Sequence, residues 1–284
     1  MKKITIIELD REFDIPESWE EMTDEQVLFI FREYYYACKF DNSDAFISRV
    51  LDCLILGKTK ISSDEFRWSP HSKELATVLF DFLFRVTVKG YELNFNEKKN
   101  YLPKLKIRLT SFVGPKDNIS NLTFEEFEKA NMYLNEYISG DAESLYLFAA
   151  CLYRPKKQSF DEDLLEKNAK LIKENCREIW KLEMILLWYC NCVQEIKTED
   201  IYFNGSIVNF SVLFNSGSSG GDAPPAKNDL GWLAVLFDFA EKGIFGNLKQ
   251  TREANLYDLL ALMLDKYKEN ERLKKEYEKI HRKH

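Results

Sequence analysis

Three capping patterns divide this chain into helices before any other signal is considered. Thr23-Asp-Glu-Gln26 and Thr123-Phe-Glu-Glu126 each place a hydroxyl residue three positions before a Gln or Glu, and Ser159 to Glu162 repeats the pattern. In such a capping box the hydroxyl accepts a hydrogen bond from a first-turn amide, while the longer side chain reaches back to the cap. Each of the three points therefore predicts the start of a helix.

The composition agrees with a helical chain. Of 284 residues 45% are apolar, which is enough to bury a sizeable core. Phe (21) and Tyr (14) are plentiful, whereas Gly (11) and Pro (7) are scarce. This balance disfavours sandwiches, barrels and nucleotide-binding glycine loops. The predicted fold class is mainly α, a multi-helix globular bundle with a small β element.

Two segments predict the β element. Lys3 to Leu9 is β-branched and alternates loosely, and residues 104–110 alternate apolar and basic side chains. Because an isolated strand leaves its backbone unsatisfied, we expect these two strands to pair with each other. Leu75 to Val88 is apolar on nearly every side, so it is either a central helix or a helix whose β-branched end turns into a strand.

Composition shifts predict three regions along the chain. Residues 1–200 read as a helical body with the small β element, and residues 201–229 as an irregular, flexible segment in which Ser206 to Phe214 could form a strand. Residues 230–284 read as a C-terminal helical hairpin that packs on the body. Because its apolar face fades beyond Tyr267, we expect a charged end that projects.

The charge distribution disfavours nucleic acid as a partner. The net charge is -7, and the positive charge is segregated at one place, where Lys266 to His284 holds eight Lys or Arg against four Glu. The two signs interleave there, which is typical of a solvated helix face. A basic arm for DNA or for an acidic partner is the minor reading.

Residues for catalysis are few. The three histidines (His71, His281 and His284) lie far from Cys190-Asn-Cys192, and no common nucleotide, hydrolase or metal motif occurs. We therefore predict no catalytic, cofactor-binding or metal-binding residue and no enzyme activity.

The segment Gly243-x-x-Gly246 indicates a tight connection between helices, with an anion site as the alternative. The six cysteines are scattered along the chain, and we recognise neither a signal peptide nor a membrane span in the sequence. We therefore predict a cytoplasmic protein whose thiols are reduced.

Several strings resemble a known group of proteins. They are Ile15-Pro-Glu-Ser-Trp19 with the following cap, Gly114-Pro115, Asn121 to Phe127 with Ala130, Ala149-Ala-Cys-Leu-Tyr-Arg-Pro155, Gly231-Trp-Leu, Phe239 to Gly246, Thr251 and Asn255-Leu256. The chain thereby resembles uncharacterised proteins of tailed phages and prophages, which usually lie among tail genes. That group is similar in gene setting to tail assembly chaperones, helical proteins that hold the tape-measure protein before the tail tube polymerises.

The resemblance implies a non-enzymatic tail assembly chaperone with a protein partner, the tape-measure protein or another tail protein. The alternatives are a virion structural component, such as a connector, tail or baseplate protein, and an enzyme with a cryptic anionic-ligand site. The candidate partner-binding residues are Trp232, Phe245, Tyr267, Lys274 and Lys275, with core packing as the competing reading of the aromatic ones. For Tyr153 and Arg154 we predict a packed ring and a guanidinium on the last helix carbonyls.

Overall fold

The computed structural model describes residues 1–6, 10–59, 68–87, 90–214 and 232–281. The α-helices in that part are α1 (Asp24–Phe40), α2 (Ser43–Leu54), α3 (Pro70–Leu79), α4 (Phe124–Ile138), α5 (Ser144–Leu152), α6 (Leu165–Asn175), α7 (Ile179–Thr198), α8 (Trp232–Glu241), α9 (Leu248–Arg252) and α10 (Leu256–His281). The strands are β1 (Lys2–Ile6), β2 (Arg11–Ile15), β3 (Phe84–Thr87), β4 (Gly90–Leu93), β5 (Lys104–Ile107), β6 (Thr110–Val113), β7 (Arg154–Pro155), β8 (Asp200–Phe203) and β9 (Ser206–Asn209). The protein is thus mainly α with small antiparallel sheets, as predicted.

The predicted pairing of the first strand with the strand near residue 104 is wrong. β1 pairs with β2, whereas β5 pairs with β6 and β6 with β7. The pairs β1–β2 and β5–β6 therefore join strands that are neighbours in sequence, whereas β7 lies beyond α4 and α5. A hairpin of this kind closes a short loop, and the entropy lost on closing a loop grows with its length. At the β5–β6 turn Arg108 takes a positive φ of 54° and Leu109 is fully exposed.

Two uncertain segments also form strands. In the stretch from Leu75 to Val88, α3 ends at Leu79 and β3 begins at Phe84, so the alternative with a strand at the β-branched end holds. In the segment predicted as irregular, β8 and β9 form a hairpin, and β9 lies where alternation predicted a strand. Most of the predicted flexible stretch, residues 215–229, lies outside the described residues.

The helix starts test the three capping patterns. Thr23 with Gln26 and Thr123 with Glu126 both form complete capping boxes at the starts of α1 and α4. The third pattern is wrong, because Asp161 caps a short 3-10 turn there and α6 begins at Leu165. The Asp161 carboxylate accepts from the amide of Asp163. Asp is as good a cap as Ser, and it stands nearer the helix.

The chain divides into two compact units. One comprises residues 1–97 and 178–188, and the other comprises residues 98–177 and 189–284. The predicted regions 1–200, 201–229 and 230–284 describe local sequence character, whereas a unit is defined by contacts between distant segments, so that division stays a prediction.

The first unit is organised around aromatic side chains. Trp19 is buried, and its indole Nε1 donates to the carbonyl of Asn94 at 3.0 Å. The Phe95 ring lies edge-on to Trp19 at 5.2 Å and to Phe31 of α1 at 5.7 Å. Edge-to-face pairs of this kind add to the stability that burial provides.

The second unit is built on α4, α5 and α6, which pack against one another in sequence order. Phe148 of α5 is fully buried, and its ring lies edge-on to Tyr189 at 5.2 Å. The first part of α10 packs on α4, and the buried face of α10 includes Leu260 and Leu264. Trp180 and Trp188 are buried as well and belong to the first unit.

The cysteines give a direct check on this packing. Burial raises the pKa of Cys53 to about 12 and also raises the pKa of Cys151 and Cys192, whereas Cys38 is exposed. Since the thiolate is the reactive species, we expect Cys38 to react first with iodoacetamide at pH 8. Mass spectrometry of native protein should show modified Cys38 before the buried thiols, and all six cysteines should react in urea. Simultaneous native labelling of Cys53 and Cys38 would contradict the packing.

Candidate protein-binding surface

One buried tyrosine connects several of the strings on which the resemblance rests. Tyr153 ends α5, is fully buried, and donates from its hydroxyl to the carbonyl of Leu102 at 2.8 Å. Asn100 lies beside that hydroxyl and donates from Nδ2 to the carbonyl of Pro115 at 2.7 Å. A Cβ atom at Gly114 would overlap the Tyr153 ring. Gly114-Pro115 and the end of α5 therefore meet at one tightly packed point.

The loop after Pro115, residues 116–123, is held on another side by the start of α10. The backbone bonds Phe124 N to Ala254 O (3.0 Å) and Leu256 N to Leu122 O (2.9 Å) join the two segments. Two side chains add to them, because Asn255 donates to the carbonyl of Ser120 and the Tyr257 hydroxyl to that of Asn118, both at 2.9 Å. The strings at 114–127, 149–155 and 255–256 thus form a single junction that positions α10.

Arg154 confirms the structural reading of the Tyr-Arg-Pro string. Its Nη1 donates to the carbonyl of Cys151 in the last turn of α5 at 3.2 Å, and its Nε to the carbonyl of Gln158 at 3.1 Å. Its Nη2 pairs with the carboxylate of Glu126, which is buried. The other Glu126 oxygen accepts from the Thr123 amide in the capping box at 2.7 Å. The guanidinium therefore joins α4, α5 and the following turn.

A small pocket of about 190 Å³ lies next to this ion pair. Its lining includes Glu126, Arg154, Lys156 and Lys157, so its rim is basic. Ligand pockets normally measure about 300 to 1,000 Å³. The Arg154 nitrogens are also engaged by the protein's own acceptors. The pocket therefore suits solvent or a small ion better than an organic substrate.

The Gly243 to Gly246 segment is a tight connection, as predicted. The amides of Gly243, Ile244 and Gly246 donate to the carbonyls of Ala240, Phe239 and Gly243. Both glycines have a positive φ, 66° and 97°, which explains the residue type. The next amide, that of Asn247, donates to the Gln250 side chain in the capping box of α9. These four amides are thus already bonded within the protein.

Of the histidines, His71 belongs to the first unit and His281 to the second. His71 lies in the first turn of α3, where Ser69 is the N-cap. Ser69-Pro70 forms this helix start, with Pro in the first turn. His281 ends α10, and its ring lies 4.9 Å from that of Tyr277. His284 lies outside the described residues. In the described part of the chain, no three His, Cys, Asp or Glu side chains are placed to hold a metal ion.

The candidate partner-binding residues all belong to the C-terminal module, which we define as residues 232–281. Phe245 is half-buried, Tyr267 is 38% exposed, and Lys274 and Lys275 are exposed. Trp232 is the first residue of α8, and its side chain lies outside the described part of the structure. The five residues therefore share one module without forming one demonstrated site.

The two long helices of the module are joined by Lys266 of α10. Its Nζ lies 2.5 Å from the carboxylate of Asp238 and 4.9 Å from the centre of the Phe239 ring, both on α8. Lys242 pairs with the same carboxylate, and the two bonds lower the pKa of Asp238. This cluster stabilises the arrangement of α8 against α10 next to the exposed residues.

Sequence reasoning missed the apolar residues that continue along α10. The side chains of Leu273, Tyr277 and Ile280 are 50%, 68% and 59% exposed. They are spaced four and three residues apart, which places them on one helix face. Charged residues surround these three in the sequence, so the segment was interpreted as a solvated charged helix and the apolar spacing was not recognised. Phe237 and Ile244, each 45% exposed, were missed because apolar residues near a helix end ordinarily indicate core.

Comparison of the chain with protein-family models, curated proteins and solved structures finds no match. Among the described helices, none combines the length and apolar character needed to cross a lipid bilayer.

The junction predicts that Gly114→Ala is destabilising. The added methyl group overlaps the Tyr153 ring, which cannot move away because its hydroxyl is bonded to Leu102. Overpacking of this kind costs about 1 to 3 kcal/mol in the free energy of unfolding. Urea denaturation followed by circular dichroism measures it, with Ser111→Ala on the adjacent strand as the control. A loss below about 0.5 kcal/mol would show that the contact is loose.

The ion pair predicts a larger effect for Arg154→Met. This change leaves the buried Glu126 carboxylate without its counter-ion, and breaking a buried pair costs about 3 to 5 kcal/mol. Lys156→Met, at an exposed neighbouring position, should change stability by less than about 0.5 kcal/mol. The same denaturation experiment compares the two variants. Equal losses would contradict a structural role for Arg154.

Proposed function

We propose that this protein is a non-enzymatic, phage-type tail assembly chaperone. In this proposal it binds a tape-measure protein, or another tail protein, through its C-terminal module and acts in the host cytoplasm before the tail is complete. The strings that resemble tail-region proteins support the biological setting. The surface of the module supports the mode of action, which is contact with another protein.

The observation that carries the proposal is the set of large apolar side chains exposed on the C-terminal module. Each is between 38% and 68% exposed; they are Phe237, Ile244, Tyr267, Leu273, Tyr277 and Ile280. Single exposed apolar residues are ordinary on a protein surface. Six within 50 residues, three of them on one helix face, are typical of a surface that another protein covers.

The kind of partner follows from the shape of this surface. A tape-measure protein is a long helix with apolar stripes, and such a helix binds along an apolar face with charged flanks. The exposed Phe237 and Ile244 flank Glu241 and Lys242, which are exposed as well, so α8 and the turn after it have that character. The cluster of Lys266, Asp238 and Phe239 holds α8 and α10 in place. A surface ordered before binding loses less entropy on association.

The direct test is co-expression with the tape-measure protein encoded in the same gene cluster. We expect a stable complex in a pull-down, with a defined mass by light scattering. Absence of a complex, together with neighbouring genes unrelated to tails, would contradict the proposal. Mass spectrometry of purified particles separates the two phage roles: a chaperone is absent from the particle, whereas a virion component is present.

Substitutions on the module predict where the tail protein binds. Phe237→Ser with Ile244→Ser should weaken the complex by at least about tenfold, because it removes two exposed apolar contacts. The matched control is Ile138→Ser with Ile207→Ser, which are 70% and 73% exposed outside the module. This control should change the affinity by less than about twofold. Calorimetric titration measures both, and equal losses would place the binding surface elsewhere.

A further inference from the structure

A heptad pattern with six apolar members runs the length of α10. Alternate steps of three and four residues connect Leu256, Leu259, Met263, Lys266, Asn270, Leu273, Tyr277 and Ile280. These are the a and d positions of a coiled coil, with Leu256, Met263, Asn270 and Tyr277 at a. The pattern has a 3.5-residue period, which keeps one seam facing a partner helix.

The two halves of the seam have different environments. Leu256, Leu259 and Met263 are buried within the second unit of their own chain. From Lys268 to His281 every residue but Glu271 is exposed. These 14 residues extend for about 21 Å at the helical rise of about 1.5 Å per residue. A helix segment of this length is only marginally stable alone in water.

We propose that the exposed half of α10 forms a parallel, two-stranded coiled coil with the same segment of a second copy of this chain. The charges beside the seam identify this occupant. Glu269 and Glu276 occupy the g positions, and Lys274 and His281 occupy the e positions. The acidic and basic residues thus line opposite sides of one seam.

This arrangement of charges is complementary only when two copies lie parallel. In a parallel pair each g residue faces the e residue of the next heptad on the other helix. Glu269 then faces Lys274 of the second copy, and Glu276 faces its His281. In an antiparallel pair g faces g and e faces e, which would place Glu beside Glu and Lys beside Lys. Like charges repel, so the antiparallel arrangement is disfavoured.

The seam residues agree with the same arrangement. Asn270 is a polar residue at an a position, where paired Asn side chains specify register and a two-stranded state in parallel coils. Leu273 occupies a d position, where an apolar side chain inserts between residues of the facing helix. Lys266, at the preceding d position, is bonded to Asp238 of its own chain, so pairing begins after it. The seam has four exposed layers, which predicts a weak dimer.

Sedimentation of the purified full chain tests self-association without any tail protein. We expect conversion from monomer to dimer between about 5 and about 500 μM, the range for a small interface. Leu273→Asp should abolish the dimer, whereas Ile138→Asp, at a 70% exposed site on α4, should retain it. Circular dichroism verifies that both variants are folded. A wild-type monomer at all concentrations, or a dimer that tolerates Leu273→Asp, would overturn the proposal.

Charge exchange tests the pairing of the flanks. Glu269→Lys with Glu276→Lys makes both flanks basic, and Lys274→Glu with His281→Glu makes both acidic. Each double variant alone should be at least about tenfold weaker in self-association, since like charges then face each other. An equimolar mixture should recover a dimer with one copy of each. Unchanged self-association of either variant would contradict the assigned flanks.

Orientation is tested by crosslinking. In a Cys38→Ser background, Tyr277→Cys places a thiol at an a position, and the parallel arrangement brings the two copies of it together. A short bismaleimide should link the copies at a concentration where this variant sediments as a dimer. Ile138→Cys is the control and should not crosslink. A dimer without the crosslink would overturn the parallel arrangement. These outcomes leave the tail-protein test unaffected, because Phe237 and Ile244 lie outside the seam.

Discussion

The buried hydroxyl of Tyr153 is the constraint on which the second unit depends. A phenol with no access to water must find an acceptor, and the carbonyl of Leu102 provides it. The ring leaves no room for a side chain at residue 114, which explains the glycine. Asn100 extends the network to Pro115 and so fixes the entry to the loop before α4. The Tyr153 side chain thus connects the end of α5 with the segment before β5 and with this loop.

The same loop determines where α10 begins. Its carbonyls accept from Asn255, Leu256 and Tyr257, so the first turn of α10 is bonded to a segment more than 130 residues earlier. Anchoring at one end leaves the other end of a 26-residue helix beyond the buried core. The exposed stripe is therefore a consequence of the junction, and the proposed coiled coil depends on it.

Several side chains that could take part in chemistry have a structural role or are buried. The Glu126 carboxylate caps α4 and pairs with Arg154, and burial raises the pKa of the thiols of Cys151 and Cys192. A buried group held by internal partners is poorly placed to reach a substrate. The surface offers instead apolar side chains among alternating charges, which suit contacts with other proteins.

The sequence by itself determined the fold class and the starts of helices such as α1 and α4. A capping box involves four consecutive residues, so its outcome hardly depends on the rest of the chain. Only the tertiary structure decided which strands pair and which part of an amphipathic helix is covered. Leu259 and Leu273 occupy equivalent heptad positions, yet one is fully buried and the other is half exposed. Local sequence cannot distinguish them, because burial depends on contacts with segments far away in the chain.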